Sequence, residues 1–218
     1  VNPRPGFAVG RYLCLHLFCY NCFTMDLELT GKVIVVTGGE GGIGEAIVKG
    51  IAKENGIPVI IGRSKPRGLN LQACLIKNGH DCLFIHTELT DTKQCEYAIE
   101  ATIEKYGKID VLINNAGGND KIGLEDGSLE EFVNSLDANL LHYFYMAKLT
   151  LPYLIQSKGN IINISSKTAL TGQGGTSGYV ASKAAQLGLT REWAVELLKY
   201  DIRVNAVIPA EVLTPHYE

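Results

Sequence analysis

The chain has 218 residues, 46% hydrophobic and 20% charged, with a formal net charge of −3 at pH 7. This is the composition of one soluble globular domain. It lacks the basic footprint of a protein that binds nucleic acid or an anionic membrane surface, so neither partner is expected.

Residues 1–24, VNPRPGFAVGRYLCLHLFCYNCFT, hold two arginines, no acidic residue and a short apolar run broken by His16 and Asn21. A spanning helix needs about 20 apolar residues, so this run is too short to cross a bilayer. It has the basic flank and apolar centre of a signal peptide but no clear small-residue cleavage site. Met25 stands directly before the first orderly segment. Residues 1–24 therefore read as an extension outside the fold, and residues 25–218 as the domain. Cys19 and Cys22 form a C-x-x-C without a second Cys or His pair at zinc spacing, and they do not follow a strand. No metal site is expected. The remaining cysteines, Cys14, Cys74, Cys82 and Cys95, give no metal or disulfide pattern. Those in the body read as reduced, small apolar residues of a cytoplasmic protein.

From residue 32 short β-branched runs alternate with helical periods. The predicted strands are 32–37, 58–62, 82–86, 109–114, 160–165 and 202–208; the predicted helices are 42–55, 69–79, 92–107, 138–156 and 178–200. The strand runs are continuously apolar, so both faces should be covered. Such alternation predicts a Rossmann-like, doubly wound α/β domain with helices on both faces of a parallel sheet. Ligands bind beyond the carboxyl ends of strands in sheets of this kind.

The first strand runs into TGGEGGIG (37–44) and then a helix. Glycines let backbone N–H groups approach a pyrophosphate, and the helix N-terminus adds partial positive charge. Gly39, Gly41 and Gly44 fit G-x-G-x-x-G, while Gly38, Gly42 and Gly44 fit T-G-x-x-x-G-x-G; spacing does not choose between them. At the end of the second strand an acidic residue would accept from a ribose 2′-hydroxyl and favour NAD. Here Gly62 is followed by Arg63, Ser64 and Lys65, which favours a 2′-phosphate and NADP. Glu40 in the glycine loop argues for NAD, because a carboxylate repels a phosphate.

Tyr179 and Lys183 are four apart on a predicted helix and can share its cleft-facing side. A nearby ammonium favours phenolate, so Lys183 could bring Tyr179 toward working pH. Alone, Tyr-x-x-x-Lys is a common surface coincidence. Ser165 and Ser166 end the fifth strand on the same rim, where a serine can donate to a substrate oxygen or simply cap a turn.

Taken in order, TGGEGGIG, NNAG (114–117), Asn139 in ANLL, NISS, YVASK and VNAVIPAEVLT resemble the short-chain dehydrogenase/reductase family over residues 27–218. The resemblance selects the T-G-x-x-x-G-x-G reading, with Thr37, Gly38, Gly42, Ile43 and Gly44 at the cofactor. It implies Tyr179 as general acid/base and Lys183 as the group that lowers its pKa and holds the nicotinamide ribose. Asn139 becomes part of a proton relay, and Ser166 is favoured over Ser165 as the catalytic serine. It further implies cofactor contacts from Arg63, Ser64, Glu88, Leu89, Asn115, Ala116, Gly117, Pro209, Val212 and Thr214, and a homo-oligomer.

The implied reaction is hydride transfer between a carbinol carbon and NADP or NAD. On the substrate side, Asn119, Asp120, Lys167, Thr168, Gln173 and Glu211 make a polar pocket that suits a sugar or polyol better than a steroid or acyl chain. These segments, with TREWA (190–194), resemble the L-fucose dehydrogenase branch; an oxoacyl or hydroxysteroid substrate is the second reading. The family pattern runs on past Glu218 with a substrate loop, a helix and a last strand. The sequence thus predicts a shortened domain, and a nucleotide-binding isoform without turnover is the reading from another class.

Overall fold

A computed structural model describes residues 26–213. Cys14, Cys19, Cys22 and Thr214 lie outside the described residues. Six parallel strands form one sheet in the order β3-β2-β1-β4-β5-β6. They are β1 (Val33–Thr37), β2 (Ile57–Gly62), β3 (Leu83–His86), β4 (Val111–Asn114), β5 (Asn160–Ile164) and β6 (Arg203–Val207). Each lies inside its predicted run, except that β2 begins one residue earlier. The doubly wound expectation is met.

Alternation along the strands divides the core into two layers. Val33 and Val35 of β1, with Val59, Ile61, Leu112, Ile161 and Val204, pack on one face against α3 (Thr92–Tyr106), α5 (His142–Ser157) and α7 (Ser177–Glu196). Ile34 and Val36, with Ile60, Val111 and Ile113, pack on the other against α1 (Gly42–Lys53) and α2 (Lys65–Lys77). Because both faces are covered, a β1 residue of either parity must be apolar, which explains the unbroken VIVV.

Three helical features differ from the sequence expectation. α2 starts at Lys65, four residues before the predicted helix, with Ser64 at its N-cap and Pro66 in its first turn, where a missing N–H costs nothing. The helix α4 (Leu129–Leu136) was not predicted. Its start is fixed by a capping box in which Ser128 and Glu131 exchange side chain-to-backbone hydrogen bonds, a pattern present in the sequence as S-x-x-E. Between α4 and α5, residues Asp137–Leu141 form a π turn, so the predicted 138–156 helix is interrupted near its start. A short α6 (Thr168–Thr171) precedes α7.

Among the described residues, no helix is long and apolar enough to cross a membrane. Cys74, Cys82 and Cys95 are free thiols, the latter two buried.

Candidate active site

The carboxyl ends of β1, β2, β4 and β5 open onto a cleft of about 850 Å³. Its floor is the glycine loop. Gly38 has φ +62, and a Cβ there would stand 3.0 Å from the Ala116 backbone, so both conformation and space require glycine. Gly44 lies deeper: a Cβ would meet the Gly38 carbonyl oxygen at 2.1 Å. Thr37 also stands behind the cleft, its Oγ1 accepting from the N–H groups of Asn115 at 2.9 Å and Ala116 at 3.1 Å. Asn115 Nδ2 donates to the Thr37 carbonyl at 2.9 Å and the Gly38 carbonyl at 3.2 Å. Thr37 and Gly44, expected at the cofactor, are not in the cleft lining and build the wall behind it.

Gly41 is the N-cap of α1 and supplies no side-chain cap. The first N–H groups of α1, at Gly42 and Ile43, consequently face the cleft with partial positive charge. That is the donor set a pyrophosphate needs, and the cleft fits a nicotinamide dinucleotide. Gly38, Gly42, Ile43, Arg63, Ser64, Glu88, Leu89, Asn115, Ala116, Gly117, Pro209 and Val212, the expected cofactor contacts, all line it. Among the described residues no group of three His, Cys, Asp or Glu side chains could hold a metal.

Tyr179, Lys183, Ser166 and Asn139 line the same cleft. Ser165 and Ser166 are separated by their surroundings. Ser165 is buried and donates to the Lys183 carbonyl at 2.7 Å, tying α7 to β5. Ser166 faces Tyr179 across the cleft, and its Oγ accepts from the N–H and the hydroxyl of Thr168 at 3.2 and 2.9 Å. Lys183 is 3% exposed. Its Nζ donates to the Ile164 carbonyl at 2.7 Å and to the Tyr143 hydroxyl at 3.4 Å, and lies 5.6 Å from the centre of the Tyr179 ring.

Burial lowers the Lys183 pKa to about 7. It raises that of Tyr179, with the Ser166 hydroxyl opposing and the Asp120 carboxylate assisting the rise. The sequence expectation of a phenol made acidic by Lys183 is thus outweighed by desolvation of both groups.

Asn139 sits in the π turn, a distortion common at functional sites. Its Oδ1 accepts from the Gly118 N–H at 2.8 Å, its Nδ2 donates to the Ser135 carbonyl at 3.0 Å, and its own carbonyl accepts from Gln186 at 2.7 Å. The side chain therefore ties the segment after β4 to α4, while the Asn139 carbonyl joins the π turn to α7.

Asp120 completes that clamp. One of its oxygens accepts from the Tyr179 N–H at 2.5 Å and from the Ser135 hydroxyl at 2.6 Å. The carboxylate lies at the N-terminus of α7, which stabilises negative charge. Sequence reading took Asp120 as a substrate contact; its hold on α7 depends on packing that no spacing reveals. The Asp120→Ala variant is expected to lose about 1–3 kcal/mol of stability, because buried donors lose their acceptor. Asp120→Asn is expected to retain the acceptor and lower the Tyr179 pKa, read by spectroscopic titration of the phenol.

The polar substrate side is smaller than expected. Asn119 and Asp120 line the cleft, whereas Lys167, Thr168, Gln173 and Glu211 are not in its lining. Lys167 and Glu211 form an exposed ion pair instead, and Thr168 is buried against Ser166.

Residues 32–218 match the family described as short chain dehydrogenase. The chain belongs to the short-chain dehydrogenase family. It is an oxidoreductase family with an NAD(P)-binding Rossmann fold. The chain is 35% identical over 212 residues to L-fucose dehydrogenase of Rattus norvegicus, covering 97% of this chain and 71% of the relative. It is also 35% identical over 188 residues to 7alpha-hydroxysteroid dehydrogenase of Bacteroides fragilis, covering 84% and 73%. The structure of L-sorbose reductase from Gluconobacter frateurii, complexed with NADPH and L-sorbose, superposes with a TM-score of 0.85 at 28% identity. That match covers 88% of this chain and 74% of the reductase.

Proposed function

We propose that this short-chain dehydrogenase interconverts a secondary alcohol and its carbonyl, with Tyr179 as the acid/base. The observation that carries the reading is the gathering of Tyr179, Lys183 and Ser166 in the cleft that also receives the uncapped N-terminus of α1. Bound NADP or NAD supplies the hydride chemistry. Gly38, Gly42 and Ile43 would hold the pyrophosphate, Arg63, Ser64, Glu88 and Leu89 the adenosine, and Asn115, Ala116 and Gly117 would close over the cofactor. Pro209 and Val212 would bound the nicotinamide, and Lys183 would hold its ribose. Ser166 donates to the substrate oxygen, Tyr179 takes the hydroxyl proton, and Asn139 keeps the clamp that aligns them. The strand-end residues Gly62 and Arg63 favour NADP, and the Glu40 carboxylate opposes that preference.

A sugar or polyol is the favoured substrate. Asn119 in the cleft lining supports it, as do relatives named for L-fucose and L-sorbose. The exposed apolar residues Leu129, Val133 and Phe144 on α4 and α5 support a homo-oligomer, in keeping with a cytoplasmic enzyme. To test substrate class, L-fucose, L-sorbose, a hydroxysteroid and a 3-oxoacyl thioester are offered with each nucleotide while nicotinamide absorbance is followed. A sugar is expected to give the highest kcat/KM, by about tenfold or more, since unpaired polar groups penalise apolar substrates. Preferred turnover of the steroid or acyl substrate would overturn the sugar assignment.

A further inference from the structure

We propose that Glu40 of the glycine loop, and not Arg63, decides which nucleotide enters the cleft, and that it selects NAD. The inference rests on the reading of the cleft as a nicotinamide dinucleotide site.

β2 ends at Gly62, the place from which an acidic side chain ordinarily reaches the adenosine ribose. Gly62 is buried and has no side chain to offer. The space is nevertheless filled. A Cβ built on Gly62 would lie 1.7 Å from Glu40 Oε2, 2.1 Å from its Cδ and 2.5 Å from its Oε1. The Glu40 carboxylate thus occupies the volume a side chain at position 62 would take, and glycine at 62 is what admits it. The Ser64 N–H donates to Oε1 at 3.2 Å and holds the group in place. Glu40 is 9% exposed, it lines the cleft, and its Oε2 is buried without a hydrogen-bond partner.

A carboxylate therefore stands at the end of β2 even though the strand does not encode one. Its unpartnered oxygen calls for a donor. The vicinal diol of an adenosine ribose brings two hydroxyl donors, whereas a 2′-phosphate removes one and adds negative charge beside a carboxylate. Arg63 and Arg67 line the same cleft and would attract that phosphate. Both are exposed, so water and salt weaken their pull. The Glu40 carboxylate is held away from water, where like-charge repulsion is stronger. The balance runs against the NADP preference that Gly62 and Arg63 give as sequence.

The test is equilibrium titration of the protein with NADH and NADPH, read by nicotinamide fluorescence, without any substrate. Wild type is expected to bind NADH at least about tenfold more tightly. Glu40→Gln, nearly isosteric and uncharged, is expected to tighten NADPH by about tenfold and to weaken NADH. Arg63→Ala, an exposed change with little effect on folding, is expected to leave NADH preferred. Equal or tighter NADPH binding by wild type overturns the role of Glu40, as does an unchanged ratio in Glu40→Gln. If neither nucleotide binds to wild type, the cleft reading itself falls, and the selectivity inference with it.

Discussion

Replacing Tyr179 by Phe is expected to reduce turnover by about 10²- to 10⁴-fold while leaving nucleotide affinity within about twofold. Those are the magnitudes for loss of a positioned general acid/base. The change removes one hydroxyl, and the backbone N–H of residue 179 keeps its acceptor on Asp120, so α7 remains clamped. Stability should therefore change little, which separates lost chemistry from lost fold. Wild type supplies a second signature. Because burial raises the Tyr179 pKa above its ordinary value of 10.0, the phenolate needed to accept a proton is scarce near neutrality. For alcohol oxidation kcat/KM is expected to climb toward alkaline pH; carbonyl reduction, which needs the phenol, should not. Retained turnover in Tyr179→Phe would remove the assignment.

Lys183→Met is expected to make the protein more stable and a poorer enzyme. The lysine has a pKa of about 7 in the fold against 10.5 for the free side chain. Folding at neutral pH thus works against a proton that the unfolded chain retains. The sign follows from linkage: the penalty is full below about pH 7, shrinks as pH rises from 7 to 10.5, and vanishes above. A difference of about 3.5 in pKa corresponds to roughly 4–5 kcal/mol. Methionine fills similar volume but cannot donate to the Ile164 carbonyl, which keeps the Tyr143 hydroxyl at 3.0 Å. The net gain is expected to be about 2–3 kcal/mol, or a Tm higher by roughly 5–10 °C at pH 7. Thermal melts at several pH values check it, and the gain should fade as pH approaches 10. Nucleotide binding and turnover should fall together, because the group proposed to hold the ribose is gone. A variant less stable than wild type at pH 7 would show that the buried ammonium is better compensated than its surroundings indicate.

The sheet was legible because each strand is a continuous apolar run, and runs such as VIVV need cover on both faces. The cleft was legible for a related reason. TGGEGGIG follows the first strand directly, and the doubly wound topology places the ends of β1, β4 and β5 on one rim. α4 was missed although its S-x-x-E start is present, because eight residues carry too short a period to stand out. The π turn at Asp137–Leu141 has no sequence signature either: ANLL continues a helical pattern, and the extra residue arises from packing around Asn139, Ser135 and Gln186.

By itself the sequence determined the fold class, the six strand runs and the company of Asn139, Ser166, Tyr179 and Lys183, while the strand order came from the structure. Those follow from local period and ordered motifs, which need no knowledge of what packs across space. Tertiary structure alone decided that Thr37 and Gly44 stand behind the cleft and that Asp120 holds α7. It also decided that Lys167 and Glu211 pair with each other instead of lining the cleft, and that the Glu40 carboxylate fills the space above Gly62. In each case the partners belong to different elements or loops, up to 79 positions apart. Contacts of that kind are set by how strands and helices pack, and burial then fixes the charge preferences of Tyr179 and Lys183 against the simple expectation for neighbours on a helix.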